Sequence, residues 1–110
     1  VSYMLAECRF RAGEAGAAAE LFNTVRARNF SSADPDPVTE GNIDKYRILD
    51  EWMTEFIGEG RRRTDLIRWD VFTTERWWDH QPDGSGHLKV FPIPTTAISS
   101  SNIIKQNPGY

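Results

Sequence analysis

The chain carries 110 residues, 39% hydrophobic and 26% charged, with 13 Lys and Arg against 16 Asp and Glu for a net charge of −3. These proportions describe an ordinary globular chain with room for one domain and a modest core. The mild acidity removes the electrostatic case for nucleic acid as a partner, and no apolar run approaches the ~20 residues that span a bilayer.

No secretory leader precedes the first element, yet Val1-Ser2-Tyr3-Met4-Leu5 reads as chain already inside a helix, with no capping residue ahead of it. The expectation is the C-terminal piece of a longer protein. Residues 2–12 are predicted as a first helix with Met4, Leu5, Cys8 and Ala12 inward, ending at Gly13. Cys8 is the single cysteine, which excludes an internal disulfide and leaves the compartment open; its apolar neighbours predict a packed thiol.

Residues 14–29 are predicted as a second helix with Ala18, Leu21, Phe22 and Val25 on its inner face and Arg26 and Arg28 in the last turn, where cations suit the helix dipole. The short link at Gly13 makes the two helices an antiparallel hairpin, and the alanines from Ala15 to Ala19 let the backbones approach closely. Such a pair is like one tetratricopeptide unit, whose repeat is about 34 residues. One unit leaves a face uncovered, so partners are expected.

Residues 30–42 are turn-rich, with Pro35 and Pro37. Asp34 and Asp36 lack the Gly and Glu that complete a calcium loop. Asn42 is the predicted cap of a third helix, with Asp44 at its start.

That third helix is the centre of the chain. Ile43, Tyr46, Leu49, Trp52, Met53 and Phe56 recur at helical spacing along one stripe, while Glu51, Glu55 and Glu59 follow each other at i, i+4 and i+8. Like charges at that spacing repel, which predicts cations against them. Arg61, Arg62, Arg63 and Arg68 follow the Gly58-Glu59-Gly60 break and are the expected source, on a short helix folded back onto the first. This pattern has three readings. One is an internal network that locks two helices, suited to the bidentate guanidinium. Another makes Glu55 and Glu59 the acid/base pair of a glycosidase, which needs a raised pKa that nearby arginine opposes. The last is an anion or nucleic-acid site on Arg61–Arg63, disfavoured by the acidic chain.

Beyond lies an aromatic, turn-rich stretch from Val71 to Lys89. Asp79, His80, Asp83 and His87 fit no metal-ligand spacing, so no metal and no other cofactor is expected. Trp77 and Trp78 either pack on the helices or offer flat faces for stacking on a sugar. Val90-Phe91-Pro92-Ile93-Pro94 is extended and proline-stiffened, Thr95–Ile98 suits one short turn, and the end is irregular, held by Ile103, Ile104 and Tyr110. Missing altogether are a nucleophile elbow, a zinc template and a phosphate-cradling loop.

Several of these stretches together resemble one family. Asp50-Glu51 through Glu55, then Glu59-Gly60-x-Arg62-x-x-Asp65-Leu66-Ile67-Arg68-Trp69, is similar to the acidic-helix, Glu-Gly-x-Arg and Asp-Leu-x-Arg-Trp signature of the SusD/RagB outer-membrane nutrient-binding proteins. Phe91-Pro92-Ile93-Pro94 and Gln106-Asn107-Pro108-Gly109-Tyr110 resemble its C-terminal motifs, and the Leu5-Ala6-Glu7 and Leu21-Phe22-Asn23-x-Val25-Arg26-x-Arg28 helices resemble the hairpin upstream. The chain departs at Trp52, Met53, Gly58 and Arg63, none of which touches Glu55, Glu59, Arg62, Asp65 or Arg68, the expected structural charge network.

The resemblance implies an all-α fold, with a tetratricopeptide-like hairpin, an amphipathic helix, a short helix and irregular C-terminal loops, residues 1–110 being the C-terminal part of a larger helical domain. It implies a surface-exposed lipoprotein of the bacterial outer membrane, of Bacteroidetes type, that captures an oligosaccharide or other nutrient without catalysis. Its partner is a TonB-dependent transporter of the SusC type, and its membrane contact is a lipid anchor outside this segment, for which Cys8 is no candidate. The alternative is a tetratricopeptide-like protein–protein interaction module; a small glycosidase using Glu55 or Glu59 stands third.

Overall fold

A computed structural model describes every residue except Trp78 and Asp79. The described residues form five α-helices and two short 3₁₀ turns, with no strand, so the fold is all-α. They divide into two compact units, Val1–Arg62 and Arg63–Tyr110.

In the first unit, α1 (Ser2–Arg11) and α2 (Ala15–Arg26) form an antiparallel hairpin, and a 3₁₀ turn at Ala27–Asn29 extends α2. The turn between them closes by a Schellman arrangement. Gly13, at φ 85°, donates to the Phe10 carbonyl, and Glu14 donates to that of Arg9. Ala6 on α1 and Ala18 and Ala19 on α2 are buried, and having no bulk beyond Cβ they allow the close approach that the alanine run predicts.

The inner stripe of α1 differs from the expected one. Tyr3, Ala6 and Glu7 are buried, whereas Met4 and Leu5 are 59% and 45% exposed and Cys8 is an exposed thiol. The reason is a competition between apolar side chains and better-fitted partners. The Tyr3 ring stands edge-on to Phe22 at 4.7 Å, Trp52 at 5.4 Å and Phe56 at 6.0 Å, and aromatic edge contacts add to area burial. Glu7 accepts from Arg11 Nε at 2.9 Å and from the Trp52 indole N–H at 3.1 Å, so its burial leaves no carboxylate stranded.

Helix α3 (Lys45–Glu55) completes the unit. Its cap is Asp44, whose side chain accepts from the Arg47 backbone N–H at 2.7 Å. Asn42, the expected cap, instead bonds within the loop, to Thr39 N and Pro37 O. Ile43, Leu49 and Trp52 are buried as the stripe predicts, joined by Ile48, while Tyr46 and Met53 face outward at 47% and 46% exposure. Phe22, Ile48 and Leu49, each about 2% exposed or less, supply a large share of the driving force, at roughly 1.5–3 kcal/mol per fully buried apolar side chain.

Residues 30–42 cross this unit without regular structure, yet Val38 is buried. Asn23 on α2 holds it by both amide groups, Nδ2 donating to Val38 O at 2.7 Å and Oδ1 accepting from Val38 N at 2.9 Å.

The second unit takes up most of α4 (Arg62–Arg68), a 3₁₀ turn at His87–Lys89 and α5 (Thr95–Ser99). Helix α4 ends in another Schellman arrangement, Asp70 donating to Ile67 O and Val71 to Leu66 O. Asp70 takes the left-handed position at φ 56°, which Asp tolerates better than most residues. The buried side chains of Leu66 and Val71 accompany the motif. The tail is held differently from expectation. Ile103 and Ile104 are 88% and 42% exposed, and hydrogen bonds rather than apolar burial tie residues 106–110 down.

Candidate functional site

The densest chemistry in the first unit lies where α2, the 30–42 loop and α3 converge on Glu51. This carboxylate is buried on α3, and Oε1 accepts from Arg26 Nη1 at 2.6 Å and from Arg47 Nε at 2.9 Å. Oε2 accepts from the Tyr3 hydroxyl at 3.3 Å. Arg47 reaches Glu51 because residues four apart share a helix face; Arg26 arrives from the last turn of α2.

Both arginines then continue outward to the loop. Arg26 grips Asp34 through two parallel bonds, Nε to Oδ2 at 2.6 Å and Nη2 to Oδ1 at 3.0 Å, and Nη2 also donates to Asp36 O at 2.9 Å. Arg47 donates to Asp36 Oδ2 at 2.7 Å and to Asp36 O at 2.8 Å. Asp34 Oδ1 closes a small turn by accepting from Asp36 N. Two guanidiniums thus bridge one buried carboxylate and two loop aspartates, the planar bidentate geometry to which arginine is suited.

The electrostatics follow from that arrangement. Hydrogen bonds from Arg26 hold the Asp34 carboxyl below the ordinary aspartate range. Bonding to Asp34, opposed by burial and reinforced by Glu51, pushes the Arg26 guanidinium above its usual value. Burial first, and the Glu51 charge second, raise the Tyr3 hydroxyl above the ordinary phenol range. Buried and bonded by two guanidiniums and a phenol, Glu51 is a fixed acceptor in a clamp.

The residues singled out in the sequence fall as follows. Glu55 is paired with Arg28, whose side chain is 61% exposed. Glu59 is exposed on the Gly58–Gly60 bend, where both glycines take positive φ, 82° and 72°. Arg62 donates to Leu49 O at 2.6 Å and lies 3.7 Å from Asp50, so it caps the backbone of α3. In the second unit, buried Asp65 accepts from Arg68 at 2.9 Å. Arg61 lies over the Trp52 ring at 3.8 Å and the Phe56 ring at 5.0 Å, a cation–π placement. Among the described contacts, the cations bonded to Glu51 and Glu55 are Arg26, Arg47 and Arg28, whereas Arg61, Arg62 and Arg63 meet the Trp52 ring, Leu49 O and Leu88 O. Separations of 25 and 27 residues in sequence hid Arg26 and Arg28, while Arg47 lies four residues from Glu51, within reach of local helical spacing.

Trp77 is half-buried and stacks on His80 at 4.5 Å and 19° between planes; His80 in turn stacks on Phe72 at 6.1 Å. Trp78 and Asp79 lie outside the described residues. Asp83 accepts from Ser85 N and Oγ, and these bonds, against the opposing effect of burial, keep its carboxyl below the usual range. Ser85 Oγ also touches His87 Nδ1. Among the described residues no group of three or more His, Cys, Asp or Glu has metal-holding geometry. A cavity of about 410 Å³ in the first unit lies between Tyr3, Thr24, Val25, Arg28, Glu55 and Phe56.

Fold and clamp together define a helical framework in which Arg26 and Arg47 tie buried Glu51 to the 30–42 loop. The chain belongs to the SusD family, whose family model it matches over residues 1–89. It is 36% identical to the starch-binding protein SusD of Bacteroides thetaiotaomicron over 96% of its own length, and it spans 19% of the length of that relative.

Proposed function

We propose that the protein containing this chain captures carbohydrate at the outer-membrane surface and passes it, without catalysis, to a TonB-dependent transporter of the SusC type. The observation that carries this reading is the family match over residues 1–89 together with similarity to a protein named for binding starch. The chain is then the C-terminal part of a helical domain, its hairpin a tetratricopeptide-like unit, and the lipid anchor lies outside it. No described helix is long and apolar enough to cross a membrane.

One feature of the site supports a framework role within that receptor, and a second offers a contact for the sugar. The carboxylates Glu51, Glu55 and Asp65 are each bonded to a guanidinium, which engages them in internal ion pairs. Trp77 is the described aromatic that we assign to sugar stacking, backed by His80 so that its ring is presented as a rigid plane; Trp78 is its sequence neighbour.

Titration calorimetry on the full-length protein with maltoheptaose and a panel of other oligosaccharides tests the reading. Binding with no release of shorter sugars, and co-purification of a TonB-dependent transporter from detergent-solubilised outer membranes, are the expected results. Hydrolysis of a bound sugar, or no binding across the panel, overturns it.

A further inference from the structure

The segment 90–94 of the second unit is extended, and its two prolines deprive it of two backbone donors. Extended chain normally satisfies its carbonyls in a sheet, but no strand of the described residues pairs with it. Side chains of residues 106–110 do so instead. Gln106 Oε1 accepts from Ile93 N at 2.8 Å, and Gln106 Nε2 donates to Ile93 O at 2.9 Å. That amide copies the two-bond exchange of a hydrogen-bonded pair of antiparallel strands. Asn107 Nδ2 donates to Phe91 O at 2.7 Å, and the Tyr110 hydroxyl donates to Val90 O at 2.8 Å.

Gly109 is what lets the chain pass. It takes φ 96°, and a Cβ there would lie 2.7 Å from His87 Cβ and 2.8 Å from His87 Cγ. Tyr110 then stands edge-on to His87 at 5.0 Å. The other side of the segment is held by Arg63, which lies 4.1 Å over the Phe91 ring and donates to Leu88 O at 2.5 Å. Apolar contact does little to retain the tail, since Ile103 is 88% exposed and Ile104 42%.

We propose that residues 106–110 are a polar strap, a two-state device that closes over 90–93 through side-chain-to-backbone hydrogen bonds and opens as one piece. Closed, it gives four backbone groups (Val90 O, Phe91 O, Ile93 N and Ile93 O) their partners. Open, it leaves them as an unpaired extended edge beside the exposed Phe91 ring. The strap is stabilised by a handful of exchangeable hydrogen bonds and not by core packing, so its opening is independent of the first unit.

Hydrogen exchange read by mass spectrometry on the full-length protein tests this. Gln106→Ala is expected to raise exchange at the Ile93 amide within the 88–94 peptide, the one N–H there that the strap holds, by about tenfold, the effect of losing two modest hydrogen bonds, and to raise it in the 106–110 peptide as well. Peptides from 2–55 are expected to stay unchanged. Gln106→Glu, which keeps the acceptor for Ile93 N but loses the donor to Ile93 O, falls between. Tyr110→Phe, a change too small to prevent folding, is expected to loosen both peptides to a lesser degree. Unchanged exchange at 88–94 in Gln106→Ala and Tyr110→Phe, or a rise in Tyr110→Phe shared equally by 2–55, overturns the proposal.

Discussion

Arg26 Nη1 and Glu51 Oε1 lie 2.6 Å apart although 25 residues separate them in sequence, and both side chains are largely shielded from water, at 17% and 5% exposure. A charge pair in that setting is asymmetric in its consequences. Forming it gains little over a well-packed apolar pair, but losing Glu51 leaves two guanidiniums short of a carboxylate, while losing Arg26 leaves Glu51 with Arg47 alone of the two.

Arg26→Ala is therefore expected to destabilise the protein by about 1.5–3 kcal/mol, the range for losing hydrogen bonds to charged groups, with Arg47 still paired to Glu51. Arg28→Ala, which loses the pair with Glu55 at a site where the arginine is 61% exposed, is expected to cost no more than about 1 kcal/mol. Urea titrations of the two variants check the contrast, and equal midpoints would contradict the clamp.

Asp34 titrates below its ordinary value of 3.8 because Arg26 hydrogen-bonds the ionised form. A depressed carboxyl contributes stability that is complete above the unfolded pKa and is lost as pH falls through the folded one. Thermal unfolding between pH 6 and pH 2 is expected to show a decline below about pH 4. Asp34→Asn should start from a lower melting temperature and flatten that decline.

Tyr3 behaves in the opposite sense. Its hydroxyl is raised above the ordinary phenol value of 10.0 by burial and by the Glu51 charge, so it stabilises the folded state fully below that pH, and the contribution is lost as pH rises past it. Tyr3→Phe is expected to weaken the alkaline loss of stability above pH 10. Monitoring tyrosinate absorbance at 295 nm should show one phenol fewer ionising only on unfolding.

Gly109→Ala is expected to destabilise the second unit by roughly 1–3 kcal/mol, the usual range for forcing an extra carbon into occupied space. Here the added Cβ meets His87 at 2.7 Å with the backbone at φ 96°. Limited proteolysis that cuts within 86–110 while sparing 2–55 is the expected pattern.

Helix existence and type were legible from periodicity, because apolar spacing reports the face of a helix directly. The burial of Leu49 and Trp52 follows from that pattern, as does the alanine-lined contact of the hairpin. The inner face of α1 was not legible. Met4, Leu5 and Cys8 are apolar, but Tyr3 and Glu7 had partners on α3 that no local pattern reveals. The acidic ridge pointed to Arg61–Arg63 beyond the glycine bend, whereas Arg47, four residues before Glu51, and the distant Arg26 reach that carboxylate. Arg26 carried a local explanation in the helix dipole, which masked its longer-range role. The motif Gln106 to Tyr110 was visible as a motif, but its purpose is side-chain pairing with backbone, which leaves no periodic trace.

The way the 30–42 crossing is fastened has a practical consequence for engineering. Asp34, Asp36 and Val38 are held by Arg26, Arg47 and Asn23 from the flanking helices, while Ser31 and Ser32 are exposed. A short epitope or fluorophore tag inserted between those two serines would extend into solvent and leave every knot of the tether tied, making this the natural place to label the protein without disturbing what surrounds it.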